Sequence, residues 1–231
     1  MNDFFKQRTY SLLMVVLVLL LVVLMQDGIS YSTAFGKLED FISITGVKRG
    51  TLPAVWLGLR LALVLVLALL WLLKRKEALF KGIVVVNSLL TLGLFMSLTA
   101  LTDVLFRLTT RGVDTLLVDV LLMAITNILI FSIWYWIIDP PGVDETRADD
   151  APWDFLFPQR AAPIPNYEVW LPRYSDYLYL AFTTSFAFSP TDVLPLTRRS
   201  KMLMMAQAVI SIVTLTGVAG SALGLLAGSS S

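Results

Sequence analysis

The residues with the clearest chemical potential lie between 183 and 192. Thr183, Thr184 and Ser185 place three hydroxyls in a row within an aromatic segment, and Asp192 follows in a polar turn after Pro190. Hydroxyls near the C-terminal tip of a short helix, where the helix dipole is negative, would favour a cation. The same groups would serve a structural purpose: Ser and Thr in membrane helices bond to neighbouring backbone or across helices, and Asp caps turn amides. A second set is charged and intramembrane. Arg60 lies within a long apolar run, and Asp103 and Asp119 lie near one end of the next two runs. A charge at that depth seeks a partner, so an Arg60–Asp119 or Arg60–Asp103 pair is expected, as a structural tie or as part of a transport path.

Other chemistries are excluded by what is missing. The chain has no histidine and no cysteine. It therefore lacks the commonest metal ligand and general base, and it has no thiolate. No close pair of carboxylates forms a recognisable site, so neither catalytic residues nor a metal or cofactor is expected, and the chain is not read as an enzyme.

The elements that must carry these residues are membranous. Of 231 residues 57% are hydrophobic and only 15% charged. A water-soluble globule of that composition would have too little polar surface. The formal net charge of +1 points to no polyanionic partner, and no nucleic-acid patch is present. The lipid bilayer is the expected surrounding. Residues 12–25 read as an uncleaved first span, since no small-residue cleavage pattern follows. Residues 26–50 mix polar groups with spaced apolar ones, which suits a short interfacial helix or a loop.

Residues 51–73, 82–106 and 116–138 read as three further spans. The last of these ends in Trp134-Tyr135-Trp136, as expected where amphipathic rings meet headgroups. Asp139-Pro140-Pro141-Gly142 then stops the helix, because proline has no donor and restricts the residue before it.

Residues 139–175 hold seven of the ten prolines and seven acidic residues against three arginines, and so form an acidic connector outside the membrane. Two apolar patches in it, 153–157 and 167–171, should pack on the membrane or on the spans. The next thirteen residues, 176–188, are too few to cross a hydrocarbon core that needs roughly 20 helical residues. They are expected to enter and turn back, leaving backbone to line a sheltered cavity. Arg198, Arg199 and Lys201 then precede a final helix.

On this helix Gly217, Gly220 and Gly224 form a small-residue stripe suited to close helix packing within or between subunits. The expected fold is all-α, with five transmembrane helices and one re-entrant half helix. It comprises a four-helix region (1–138), the acidic connector (139–175) and a pore-like unit (176–231). The distribution of Lys and Arg places the N-terminus and the connector in the cytoplasm.

Residues 181–197 resemble the pore module of the potassium-channel superfamily, in which a Thr-rich pore helix leads into a filter, a proline and a small-residue-rich inner helix. Aligned on Asp192, the filter positions hold Ala187, Phe188, Ser189, Pro190 and Thr191, and both filter glycines are replaced. The region from Trp134 to Leu223 is also similar to a family of bacterial predicted inner-membrane proteins of unknown function. The likeness lies in Asp154-Phe155-Leu156-Phe157-Pro158, in the segment around Asp176-Tyr177, and in the Asp192-Val193 turn with its paired arginines. These resemblances imply a multi-pass inner-membrane protein with a channel-like pore. It would be a homo-oligomer, a tetramer by analogy, passing a small cation. A non-conducting scaffold or accessory protein, with the connector as its docking surface, is the alternative.

Overall fold

The computed structural model describes residues 9–29, 51–107, 113–139, 153–161, 164–165, 170–187 and 192–228. The larger part of them is helical: α1 (Thr9–Gly28), α2 (Thr51–Leu72), α3 (Lys76–Arg107), α4 (Val113–Ile138), the short α5 (Pro158–Ala161), α6 (Tyr174–Ala187) and α7 (Arg198–Gly228). Two two-residue strands, β1 (Phe155–Leu156) and β2 (Leu194–Pro195), pair antiparallel with Phe155 opposite Pro195.

The bundle is built around α4. Every residue from Ile128 to Ile133 is buried. A helix that is apolar all round belongs in the interior, and α1, α3, α6 and α7 all pack against this one. The outer helices are two-faced. On α2, Val64 and Leu67 are buried while Leu65, Leu69 and Leu72 are exposed. On α7, Met204 and Ile210 are buried while Met202, Met205 and Ile212 are exposed. Hydrocarbon presented outward in this way is the pattern of helices solvated by lipid. The protein is therefore a multi-pass, membrane-embedded helical bundle.

The expected count of five spans with a re-entrant half helix is corrected. Among the described residues, 3 helices are long and apolar enough to cross a bilayer: Glu77–Thr102, Val118–Ile138 and Arg198–Gly217. The apolar stretches Leu12–Gly28 and Leu57–Leu72 are shorter, at 17 residues or fewer. The expected half helix also differs in kind. α6 has 14 residues, and it buries Tyr177, Leu180, Ala181 and Thr184 at the i, i+3, i+4, i+7 spacing of one helical face. Packing on α4 and α7 occupies that face, so α6 is a short helix docked on the bundle, with Tyr179, Phe182 and Phe186 facing outward. The reach of thirteen residues bears only on whether a segment can cross, not on what its apolar face buries against.

The aromatic end of α4 also departs from the headgroup reading. Tyr135 and Trp136 are buried at 0% and 1% exposure. The Tyr135 ring lies 5.1 Å from Phe155, and Trp136 lies 6.1 Å from Phe80. Tyr135 is covered by Phe155 of the connector and Trp136 by Phe80 of α3. The reading of 26–50 as an interfacial helix falls, from residue 30 on, outside the described residues.

Candidate functional site

The connector is fastened to the helix ends by two carboxylates. Asp139 ends α4, its N–H bonding the Tyr135 carbonyl at 3.1 Å. Its Oδ1 accepts the backbone N–H groups of Asp154 (3.1 Å) and Phe155 (3.3 Å). Its Oδ2 accepts the Tyr177 hydroxyl at 2.6 Å and Arg160 Nη1 at 3.1 Å. One side chain thus ties α4, β1, α5 and α6 together.

Asp154 carries the second clamp. Arg199 donates Nε to Oδ1 at 2.7 Å and Nη2 to Oδ2, a two-pronged grip, and the Thr197 hydroxyl also donates to Oδ1. Leu196 N–H bonds the Asp154 carbonyl at 2.9 Å, which extends the β1–β2 pairing by one residue. Thr197 and Ser200 bond each other's backbone N–H, a reciprocal N-cap that starts α7. The chain reaches the Arg199–Asp154 clamp already positioned by that cap.

The connector and the turn from Asp192 to Thr197 together cap the ends of α4, α6 and α7, and a hollow of about 300 Å³ opens there, lined by Phe157, Gln159, Trp170, Asp176, Tyr179 and Asp192 among others. Asp176 accepts the Arg173 N–H at 2.6 Å and so caps the first turn of α6. Burial pushes its carboxyl above the ordinary aspartate range, opposed by that N–H and by the Arg173 charge. Burial also raises the Tyr174 phenol, whose oxygen lies 2.7 Å from Ser132 Oγ.

The hydroxyl row of α6 is engaged within the subunit. Thr183 donates to the Leu180 carbonyl at 3.0 Å, and the buried Thr184 donates to the same carbonyl at 2.7 Å. Ser185 Oγ accepts Gln207 Nε2 at 2.7 Å, and Gln207 also reaches the Ala181 carbonyl at 2.7 Å. Gln207 Oε1 accepts the Tyr135 hydroxyl. A polar seam therefore joins α4, α6 and α7. Asp192 is exposed, with the Tyr179 hydroxyl 3.4 Å away. Ala187 ends α6; its side chain, and Phe188, Ser189, Pro190 and Thr191 altogether, lie outside the described residues.

A Cβ on Gly93 would stand 2.9 Å from both Arg60 Nη2 and Gln26 Oε1, so α1, α2 and α3 converge at that glycine. Asp27 is one carboxylate near enough to act on Arg60 through space. Asp119 is buried on α4, and the Asp103 side chain lies outside the described residues. Asn127 Nδ2 reaches Ser211 Oγ at 2.9 Å, and Asn87 Nδ2 reaches the Ile130 carbonyl at 3.3 Å. Gly217 is a close-approach point, where a Cβ would stand 3.2 Å from Leu101 and 3.3 Å from Val120. Gly220 is exposed, and the surroundings of Gly224 lie outside the described residues.

Sequence reasoning missed the clamp. From sequence, Asp139 reads as a helix stop and one acid of the connector, Asp154 as part of a likeness, and Arg199 as part of that likeness and of the basic group before the last helix. The available signal was a carboxylate inside an aromatic pentapeptide, together with a paired arginine at the start of the last helix. Compared with family models, curated proteins and solved structures, the chain matches none.

Proposed function

We propose that the protein is a non-conducting membrane scaffold of a bacterial inner membrane, whose docking face is the cap over α4, α6 and α7. The observation that carries this reading is the pair of fully buried carboxylates, Asp139 and Asp154, that clamp the connector. Desolvating a carboxylate costs several kcal/mol, on the order that only good geometry and full hydrogen bonding offset. A connector that merely joined two helices would need no such fastening. A fixed surface is what a docking partner needs, because less ordering then accompanies binding. The hollow beside Asp176 and Asp192, walled by Trp170 and Phe157, suits a basic side chain of that partner. No catalytic chemistry is assigned.

A second reading, an oligomeric and by analogy tetrameric conduit for a small cation, draws on Asp192. It is an exposed carboxylate next to a helix that presents Tyr179, Phe182 and Phe186 outward. Flux from liposomes containing the purified protein separates the two readings. The scaffold predicts leakage equal to empty vesicles at every voltage and pH. A flux that Asp192→Ala or Thr184→Ala alters would replace it with the conduit.

A further inference from the structure

The turn between α2 and α3 is built around a lysine where glycine is the usual residue. The Leu70 carbonyl accepts the Arg75 N–H, and the Trp71 carbonyl accepts the Lys74 N–H, each at 3.0 Å. These are the paired bonds of a Schellman ending, and Lys74 occupies its left-handed position with φ 55°. A side chain is disfavoured there and glycine is not. The lysine thus stands against a backbone preference, with its side chain exposed at the end of α2.

A groove of about 390 Å³ opens below it, between the first half of α1 and the second half of α2. Its walls include Leu13, Val16 and Leu17 on one side and Leu61, Ala68 and Trp71 on the other. From Leu61 to Leu72, at 1.5 Å per residue, it runs about 17 Å, close to one leaflet of a hydrocarbon core roughly 30 Å thick. A narrow groove of that length, lined almost wholly by apolar atoms, matches an extended hydrocarbon chain in shape and chemistry. Positive charge gathers at the Leu72 end. Lys74, Arg75 and Lys81 are exposed there against the single acid Glu77, and the N-terminus of α3 adds its own positive end.

We propose that this groove holds an acyl chain of an anionic phospholipid, whose headgroup phosphate sits on Lys74 and Arg75. The apolar walls select hydrocarbon, and the basic mouth selects a negative headgroup over a zwitterionic one.

The test uses the full chain in phosphatidylcholine vesicles doped with brominated phosphatidylglycerol or with brominated phosphatidylcholine. Quenching of Trp71 is isolated by subtracting the Trp71→Phe protein. The anionic lipid should quench at a much lower mole fraction than the zwitterionic one, and the preference should fall roughly fivefold in Arg75→Gln. Lys74→Gly is the decisive variant. It relieves the backbone, so the thermal midpoint should hold or rise, yet the preference should fall by a similar factor. Equal quenching by the two lipids in the unaltered protein overturns the proposal. So does a Lys74→Gly protein that keeps its preference.

Discussion

Arg160 and Asp139 form an ion pair at 3.1 Å with side chains only 4% and 0% exposed, whereas Arg199, gripping the equally buried Asp154, is 60% exposed. The two clamps therefore differ in how much water can replace a lost partner. Removing Arg160 strands the Asp139 carboxylate with its two backbone donors and Tyr177. Removing Arg199 opens Asp154 to solvent from the side where the guanidinium stood.

Arg160→Ala should consequently destabilise the protein by about 3–5 kcal/mol, and Arg199→Ala by less, about 1–3 kcal/mol. Denaturation midpoints in one detergent provide the comparison. An Arg199→Ala protein less stable than Arg160→Ala would contradict the difference in burial.

The polar seam makes a different prediction. Gln207→Leu leaves the Tyr135 hydroxyl, the Ala181 carbonyl and Ser185 without their shared partner, at a cost of about 1–3 kcal/mol. Adding Tyr135→Phe removes one stranded donor, so the double variant should recover part of the loss. If the two losses simply add, Tyr135 and Gln207 are not coupled.

Much of the architecture was legible in composition, because continuous hydrocarbon has nowhere to go but lipid or a buried core. Asn127 reaching Ser211 follows from the same logic: a polar amide within an apolar run seeks a neighbour. The docking of α6 was not legible. Tyr177, Leu180, Ala181 and Thr184 carry the helical spacing, but only the fold supplies α4 and α7 as the surfaces they cover. Asp139 and Arg160 were hidden for another reason. They stand among prolines and acids that look solvated, and the buried pair exists only once Phe155 and Phe157 have packed over Tyr135 and Tyr177.

Acidification should favour the cap at Asp176. Its carboxyl titrates above the ordinary aspartate value in the folded protein, so the native state holds the proton more tightly than the unfolded chain. Its contribution is therefore most favourable below the ordinary aspartate range and is lost as pH rises through the raised value. The midpoint difference between Asp176→Asn and the unaltered protein should change across that window and level off above it. A difference independent of pH would remove Asp176 from the account.

Gly217 should tolerate enlargement poorly. A leucine there would press on Leu101 and Val120 and separate α7 from α3 and α4, at about 1–3 kcal/mol. Gly220→Leu, at an exposed position, should cost much less. Equal losses would mean that the glycine stripe is not used as the packing describes.

A docking face of this kind requires a connector held as firmly as the helices it covers. Hydrogen exchange at the amides of Asp154, Phe155 and Leu196, each bonded within the clamp, measures this directly. These amides should exchange as slowly as those in the middle of α4, and Arg160→Ala should speed them while leaving α4 protected. Exchange at the rate of an open loop in the unaltered protein would contradict a fixed cap, and the docking role with it.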